Sequence, residues 1–444
     1  MTDNGMTGVC LRGVRVIDPF RDVDSRDEDL TVVGGLIVPR DDPRARGCVE
    51  IDGRGLWLVP RIVDMHVHFR EPGQTWKETI ETGCQAAAHG GVTGVAPMPN
   101  TLPVVDTPEL VEWEAQRGAD LGLVHVYPIG AITRQSQGEA LADLYFMHQK
   151  GARAFSDDGH PLTSSALMRA ALTYAATLPA AIINHAEDRQ LATGWCNEGP
   201  VAEQLGLAGT PEAAEAVMVW RDVMLAELTG GWLHEAHVST VESLHAIRYA
   251  KAKQLGVTAE VTPHHLLLTD DALREWRYDP VTKVNPPLRS KATREALVKA
   301  VSDGDIDVIA SDHAPHHADE KSLNYQEAPY GISGLETLLG ATFTALLEPG
   351  LMRPLDLMRL LTVGPHRVLR LSYPGLIPGA AADLTLIDPQ RRWVVDPGQF
   401  YSRGRNTPLA GRTLVGQAVA TMVQGRWVMR DGEVLNAGVS NLHR

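Results

Sequence analysis

Hydrophobic and polar positions along the chain fall into two rhythms. From residue 59 to about 311, short apolar runs of strand length alternate with longer stretches whose apolar positions recur at helical spacing. The runs lie at 59–66, 92–98, 124–129, 152–155, 180–185, 232–237, 257–262 and 306–311. Helical spacing is clearest over 107–117, 165–177, 213–228, 240–255 and 290–302. Eight alternations over roughly 250 residues predict an α/β fold, a (β/α)8 TIM-like barrel. Two spacings are long, between the fifth and sixth runs and between the seventh and eighth. They predict insertions or lids.

Outside that region the pattern has strand period. Short β segments are expected over 8–18, 47–53, 382–388, 392–395 and 418–423, with a turn at Asp41-Asp42-Pro43. A last hairpin is expected at Trp427-Val428-Met429 followed by Arg430-Asp431-Gly432. The simplest organisation is one small β-rich domain built from both ends, 1–57 with 370–444, beside a barrel of 58–369.

Composition narrows the partners. The chain has 444 residues, 44% of them apolar, enough for a large core. Its net charge of -14 is spread without a long basic or acidic block, which argues against nucleic acid and anionic membranes. Cys10, Cys48, Cys84 and Cys196 are far apart and fit reduced thiols better than disulfides or a zinc–thiolate site. The N-terminus carries Asp3 and lacks an apolar signal-peptide core, and no apolar run approaches the ~20 residues of a membrane span. A cytoplasmic protein acting on a small molecule is expected.

The chemistry gathers at the strand ends. The first apolar run leads into Asp64-Met65-His66-Val67-His68-Phe69-Arg70-Glu71-Pro72-Gly73. Strand alternation would put Asp64, His66, His68 and Arg70 on one face. Later runs end in Met98-Pro99-Asn100, Asp157-Asp158, Asn184-His185, His237, His264-His265 and Asp312-His313. In a barrel, these carboxyl ends converge on the active face. Nitrogen and oxygen donors without thiolate suit catalytic zinc, which keeps an open position for water. His66 and His68 with Asp312 would hold one ion, His185 and His237 a second, and a fourth-strand carboxylate would bridge them, giving one or two Zn2+ per chain. His234 reads as a core or barrel-wall histidine, His264 and His265 as structural or as partners behind the ligands, and His313 as structural. Asp64 reads as either a partner to a ligand histidine or a polar strand residue.

The motifs Asp-x-His-x-His-x-Arg-Glu-Pro-Gly at 64–73, Met98-Pro99-Asn100-Thr101, Asn285-Pro286-Pro287-Leu288-Arg289 and Asp312-His313-Ala314-Pro315-His316 together resemble the dihydroorotases of the amidohydrolase superfamily. The resemblance covers nearly the whole chain. It implies zinc-dependent, reversible cyclisation of N-carbamoyl-L-aspartate to L-dihydroorotate in pyrimidine synthesis. It implies metal ligands His66, His68, His185, His237 and Asp312, with Asp312 also the general base and acid. Arg70, Asn100 and His316 would hold the substrate carboxylate, with His68 also at the substrate. Asn285, Tyr330 and Gly331 would contact the ring. Many relatives carry a carboxylated lysine after the fourth-strand phenylalanine, whereas here Phe155 is followed by Ser156. Asp158 is the expected bridge in its place, and Asp157 the fallback. Two rival readings stand beside this one: an allantoinase- or hydantoinase-type cyclic amidase, and an inactive dihydroorotase-like subunit supporting aspartate transcarbamoylase. A homodimer and an association with aspartate transcarbamoylase are both open arrangements.

Overall fold

The computed structural model describes residues 8–435. Asp3 and the outermost parts of both terminal segments lie outside the described residues.

Barrel strands Val63–Val67, Gly94–Pro97, His125–Val126 with Ile129–Gly130, Ala154–Ser156, Ala181–Asn184, Leu233–Glu235, Val257–Val261 and Val308–Ile309 pair in parallel, each with its sequence neighbour. The third strand is in two pieces. Its first half pairs with the second strand and its second half with the fourth, on either side of Tyr127-Pro128. Pro128 cannot donate to a ladder, so the strand breaks there and changes partner. Closure comes from Val67 bridging His313, with His68 N donating to His313 O at 2.8 Å.

The helices start where side chains can cap them. Thr107, Ser164, Thr240 and Ser290 each accept a backbone N–H at the start of Pro108–Leu121, Ser165–Ala175, Val241–Ala252 and Lys291–Asp303. Both long spacings hold short elements: Cys196–Asn197, Pro200–Leu205 and Gly209–Thr210 in one, and Pro263–Leu267, Ala272–Glu275 and Pro280–Thr282 in the other. The barrel interior below the site is filled by Val63, Met65, Ala96, Ile129, Ala154, Ile183 and Val308, and Val368 and Leu369 pack against this cluster.

The terminal segments build one nine-stranded sheet. Trp57–Pro60 lies at its centre, parallel to Val9–Asp18 and antiparallel to Leu384–Val394. The run expected at 59–66 is therefore two strands. Its first residues complete the terminal sheet, and the chain enters the barrel only after Arg61 and Ile62. The 382–388 and 392–395 segments merge into the single strand Leu384–Val394, with a register shift between Asp388 and Arg392. Val23–Val33 is an 11-residue strand that the pattern did not predict. Leu11, Val14, Leu58, Leu384 and Met422 form a separate small core under this sheet.

Candidate metal centre and active site

Strand alternation does not carry through the first motif. The register shifts between Asp64 and Val67, and the strand ends at Val67. Arg70 has φ of 60°, in the left-handed region, which turns its side chain back toward the barrel mouth. His66, His68 and Arg70 converge even so. Asp64 stays behind them, fully buried, accepting from the backbone N–H groups of Ser311 and His66. Two other residues at the strand ends have positive φ, His237 at 33° and Asp312 at 47°. Backbone strain of this kind gathers where side-chain placement matters more than local comfort.

Asp158 stands at the centre. Its Oδ1 is 3.4 Å from His66 Nε2, 3.6 Å from His237 Nε2 and 3.7 Å from His185 Nδ1, and its Oδ2 is 3.4 Å from His68 Nε2. Asp312 Oδ1 lies 3.2 Å from His68 Nε2 and 3.6 Å from His66 Nε2. Asp157 is not part of this group. It accepts from the Ile132 and Thr133 backbone and from the Thr133 hydroxyl, tying the loop after the third strand.

The donor set fits a cation. His66, His68 and Asp158 bring ligand atoms within 4.8 Å of one another, as do Asp158, His185 and His237, so Asp158 belongs to both groups. His66 Nε2 and Asp158 Oδ1 are buried without a hydrogen-bond partner. His185 Nδ1 and His237 Nε2 face each other at 2.9 Å, a separation at which two bare lone pairs repel unless a proton or cation satisfies them. Burial alone would raise the Asp158 carboxyl. The His66 charge and the bonds from His185 and His237 outweigh it and hold Asp158 well below the usual range. Asp312 is likewise held to about 2, burial being overcome by the bond to His68 and the charges of nearby histidines. Both carboxylates are thus ionised and face imidazole nitrogens.

Residues behind the ligands orient them. Glu260, on the seventh strand, takes up His66 Nδ1 at 2.5 Å and His234 Nε2 at 3.3 Å. A carboxylate there fixes the proton of His66 on Nδ1 and leaves Nε2 facing Asp158. The reading of His234 as a wall histidine thus understates its place. Asn100 Oδ1 does the same for His68 Nδ1 at 2.9 Å. Glu187 accepts from Asn285 Nδ2 at 3.0 Å, and that amide also lies 3.2 Å from His185 Nε2. His265 is held between Thr262 and the Pro286 carbonyl, and His313 between Glu78 and the Gly334 N–H.

These groups open onto one cavity of about 170 Å³, lined by His68, Arg70, Asn100, Asp158, His185, His237, Asn285, Asp312, His316, Tyr330 and Gly331 among others. Arg70 is 8% exposed, and its Nε donates to the Pro315 carbonyl at 3.3 Å. Among the described residues it has no carboxylate within ion-pair distance. Burial lowers it only to about 10, so it remains a cation. A buried guanidinium with no directly paired carboxylate, facing a cavity, is a receptor for an anionic ligand. His316 Nε2 donates to the Tyr330 carbonyl at 2.7 Å and lies 3.5 Å from Arg70 Nη2. Gly331 has φ of +122°, and a Cβ there would sit 2.6 Å from Ala314 Cβ.

Solved structures share this fold. An L-hydantoinase (dihydropyrimidinase) from Arthrobacter aurescens superposes with a TM-score of 0.85 at 25% identity, covering 96% of this chain and 97% of that one. A dihydropyrimidinase from Brevibacillus agri has the same fold, with a TM-score of 0.82 at 20% identity over 97% of each chain. The fold and the histidine–aspartate cluster at the barrel mouth therefore define a cyclic-amide hydrolase of the amidohydrolase type. In sequence, a family model described as Dihydro-orotase-like matches residues 55–243. A dihydroorotase of Pelotomaculum thermopropionicum is 48% identical over 95% of this chain and 98% of its own length. One from Syntrophus aciditrophicus is 45% identical over 95% and 99%. The chain belongs to the dihydroorotase family.

Proposed function

We propose that the protein is a zinc-dependent dihydroorotase, interconverting N-carbamoyl-L-aspartate and L-dihydroorotate in cytoplasmic pyrimidine synthesis. The observation that carries the reading is the buried Arg70, with no carboxylate paired to it directly, beside the histidine–aspartate cluster in one small cavity. That pairing suits a cyclic amide that also bears a carboxylate. His66, His68, His185, His237 and Asp312 would hold one or two zinc ions, with Asp158 as the bridge that replaces a carboxylated lysine. Zinc bound there supplies Lewis acidity toward a carbonyl oxygen and acidifies water. Arg70, Asn100 and His316 hold the substrate carboxylate, and His68 touches the substrate. Asn285, Tyr330 and Gly331 meet the ring. In hydrolysis, Asp312 accepts the proton of the attacking water and returns it to the leaving amide nitrogen. Ring closure runs through the same proton transfers in reverse.

We read 1–57 with 370–444 as a composite domain beside the barrel of 58–369, with Trp57–Pro60 crossing the join. The rival hydantoinase reading draws on the 0.85 TM-score to the Arthrobacter enzyme, but Arg70 gives a neutral ring no counterpart. An inactive subunit is disfavoured because His66, His68, His185 and His237 all gather around Asp158. Sizing the active protein, alone and with aspartate transcarbamoylase, separates a monomer from a homodimer or a mixed assembly. The deciding comparison is turnover of L-dihydroorotate against hydantoin and allantoin. Dihydroorotate should be preferred, and faster turnover of either carboxylate-free ring would overturn the assignment.

A further inference from the structure

Part of the cavity wall is built from two loops, one carrying Asn285 and the other Tyr330 and Gly331. Loops without a ladder of backbone hydrogen bonds need another source of definition. Two buried lysines supply it. Lys283 is 1% exposed, and its Nζ donates to the carbonyls of Gln326 at 2.9 Å and Ala328 at 2.7 Å. The same ammonium lies 4.4 Å from the centre of the Tyr330 ring, a cation–π contact. The Lys283 carbonyl accepts from Gly331 N at 2.9 Å. Lys321 is buried too, and its Nζ donates to Pro280 O at 3.0 Å and Pro329 O at 2.8 Å. Lys283 thus reaches from its own loop to two carbonyls of the other, and Lys321 ties one carbonyl from each segment together.

Among the described residues neither ammonium forms an ion pair, and the proposed chemistry uses neither. Burying a cation without a counter-charge is unfavourable, and packing alone would be served better by an apolar side chain. Burial brings Lys283 down to about 8. Burial, and after it the charge of Lys283, brings Lys321 to about 7. What the two groups provide that a hydrocarbon cannot is four directed N–H bonds to backbone carbonyls. Three of them, to Gln326, Ala328 and Pro329, fall on the segment that leads into Tyr330 and Gly331, and the fourth ties Lys321 to Pro280. The Tyr330 carbonyl in turn takes the Nε2 proton of His316, so the placement of this wall also sets the His316 ring.

We propose that Lys283 and Lys321 are positioning residues for substrate binding: their carbonyl contacts hold the Tyr330–Gly331 wall, and with it His316, at the substrate. The substrate named in the test rests on the dihydroorotase reading, whereas the wall itself does not. The test compares Lys283→Met, Lys283→Arg and Lys321→Met with the wild type, by kinetics, zinc content and backbone hydrogen exchange over 326–331. Both Met variants should keep their zinc and a kcat within about threefold, yet raise KM for L-dihydroorotate by about tenfold or more. Lys283→Arg, which keeps two or more donors, should recover most of that KM. Exchange at the Gly331 amide should quicken in Lys283→Met. An unchanged KM in Lys321→Met, or a fall in kcat at constant KM, would overturn the proposal, and Lys321→Met carries this arm alone if Lys283→Met does not fold. If the wild type turns over no dihydroorotate, the functional reading fails and hydrogen exchange decides the wall. Wild-type protection over 326–331 in the variants would then overturn the proposal.

Discussion

Asp312 carries the most demanding role of any single residue. It is buried at the end of the eighth strand, with φ of 47° and its Oδ1 3.2 Å from His68 Nε2. Its carboxyl is held to about 2, so it is ionised and carries no proton across the neutral range. Asparagine keeps the shape and one oxygen but cannot carry a proton. Asp312→Asn should therefore retain the fold and at least part of its metal while kcat falls by about 10²–10⁴, the usual contribution of general acid–base catalysis. Excess zinc should not restore the rate. Rescue by zinc would mean that Asp312 only holds metal and that another group moves the proton.

At the scale of elements, the strand ends were the most legible part of the molecule. All five expected helices appear, and four of them start at a capping side chain, Thr107, Ser164, Thr240 or Ser290, whereas Ala213–Thr229 follows Glu212 without a side-chain cap. What escaped did so for identifiable reasons. The strand Val23–Val33 carries Asp24, Arg26, Asp27, Glu28 and Asp29, so its charge hid its period, and much of its length is exposed. The split at Arg61 was invisible because Val59 and Val63 are equally apolar, and only pairing with Leu384–Val394 separates them. Alternation also failed beyond Val67, where a register shift and a left-handed Arg70 replace the strand. Glu260 was missed although it left a signal: a lone carboxylate in the otherwise uncharged run Val257–Val261. It braces His66 from the first strand and His234 from the sixth, so three elements meet on one side chain. Glu260→Gln should weaken zinc binding about 10–100-fold, the range typical of residues that orient metal ligands. Isothermal titration of the apo protein would read this directly, and unchanged affinity would reduce Glu260 to a packing role.

For the whole molecule, the question is how the terminal sheet is held to the barrel. Asp383, fully buried at the edge of Leu384–Val394, accepts from the Arg61 guanidinium and lies 3.0 Å from His125 Nε2. Its Oδ1 also takes the Gln424 N–H at 2.7 Å. One carboxylate therefore ties the entry to the first barrel strand, the third barrel strand and the terminal sheet. Burial pushes its pKa up, but the bond and charge of His125 and the charge of Arg61 bring it to about 2, from 3.8. A depressed carboxylate adds stability that is present above pH 3.8 and lost as pH falls toward 2, here about 2 kcal/mol. Asp383→Asn should lose about that much at pH 7, and the gap to wild type should close between about pH 4 and pH 2. Urea unfolding across that range checks both parts. A gap independent of pH would assign the loss to packing instead.

No helix among the described residues is long and apolar enough to cross a membrane. The remaining whole-molecule feature is the meeting of four histidines and two aspartates from five strand ends, with Asp158 at their centre. The most direct measurement is the rate of L-dihydroorotate hydrolysis by the purified protein before chelation, after it, and after zinc is returned. The rate should vanish on chelation and come back with zinc, at one or two ions bound per chain. Full turnover by protein shown to be free of metal would contradict the account.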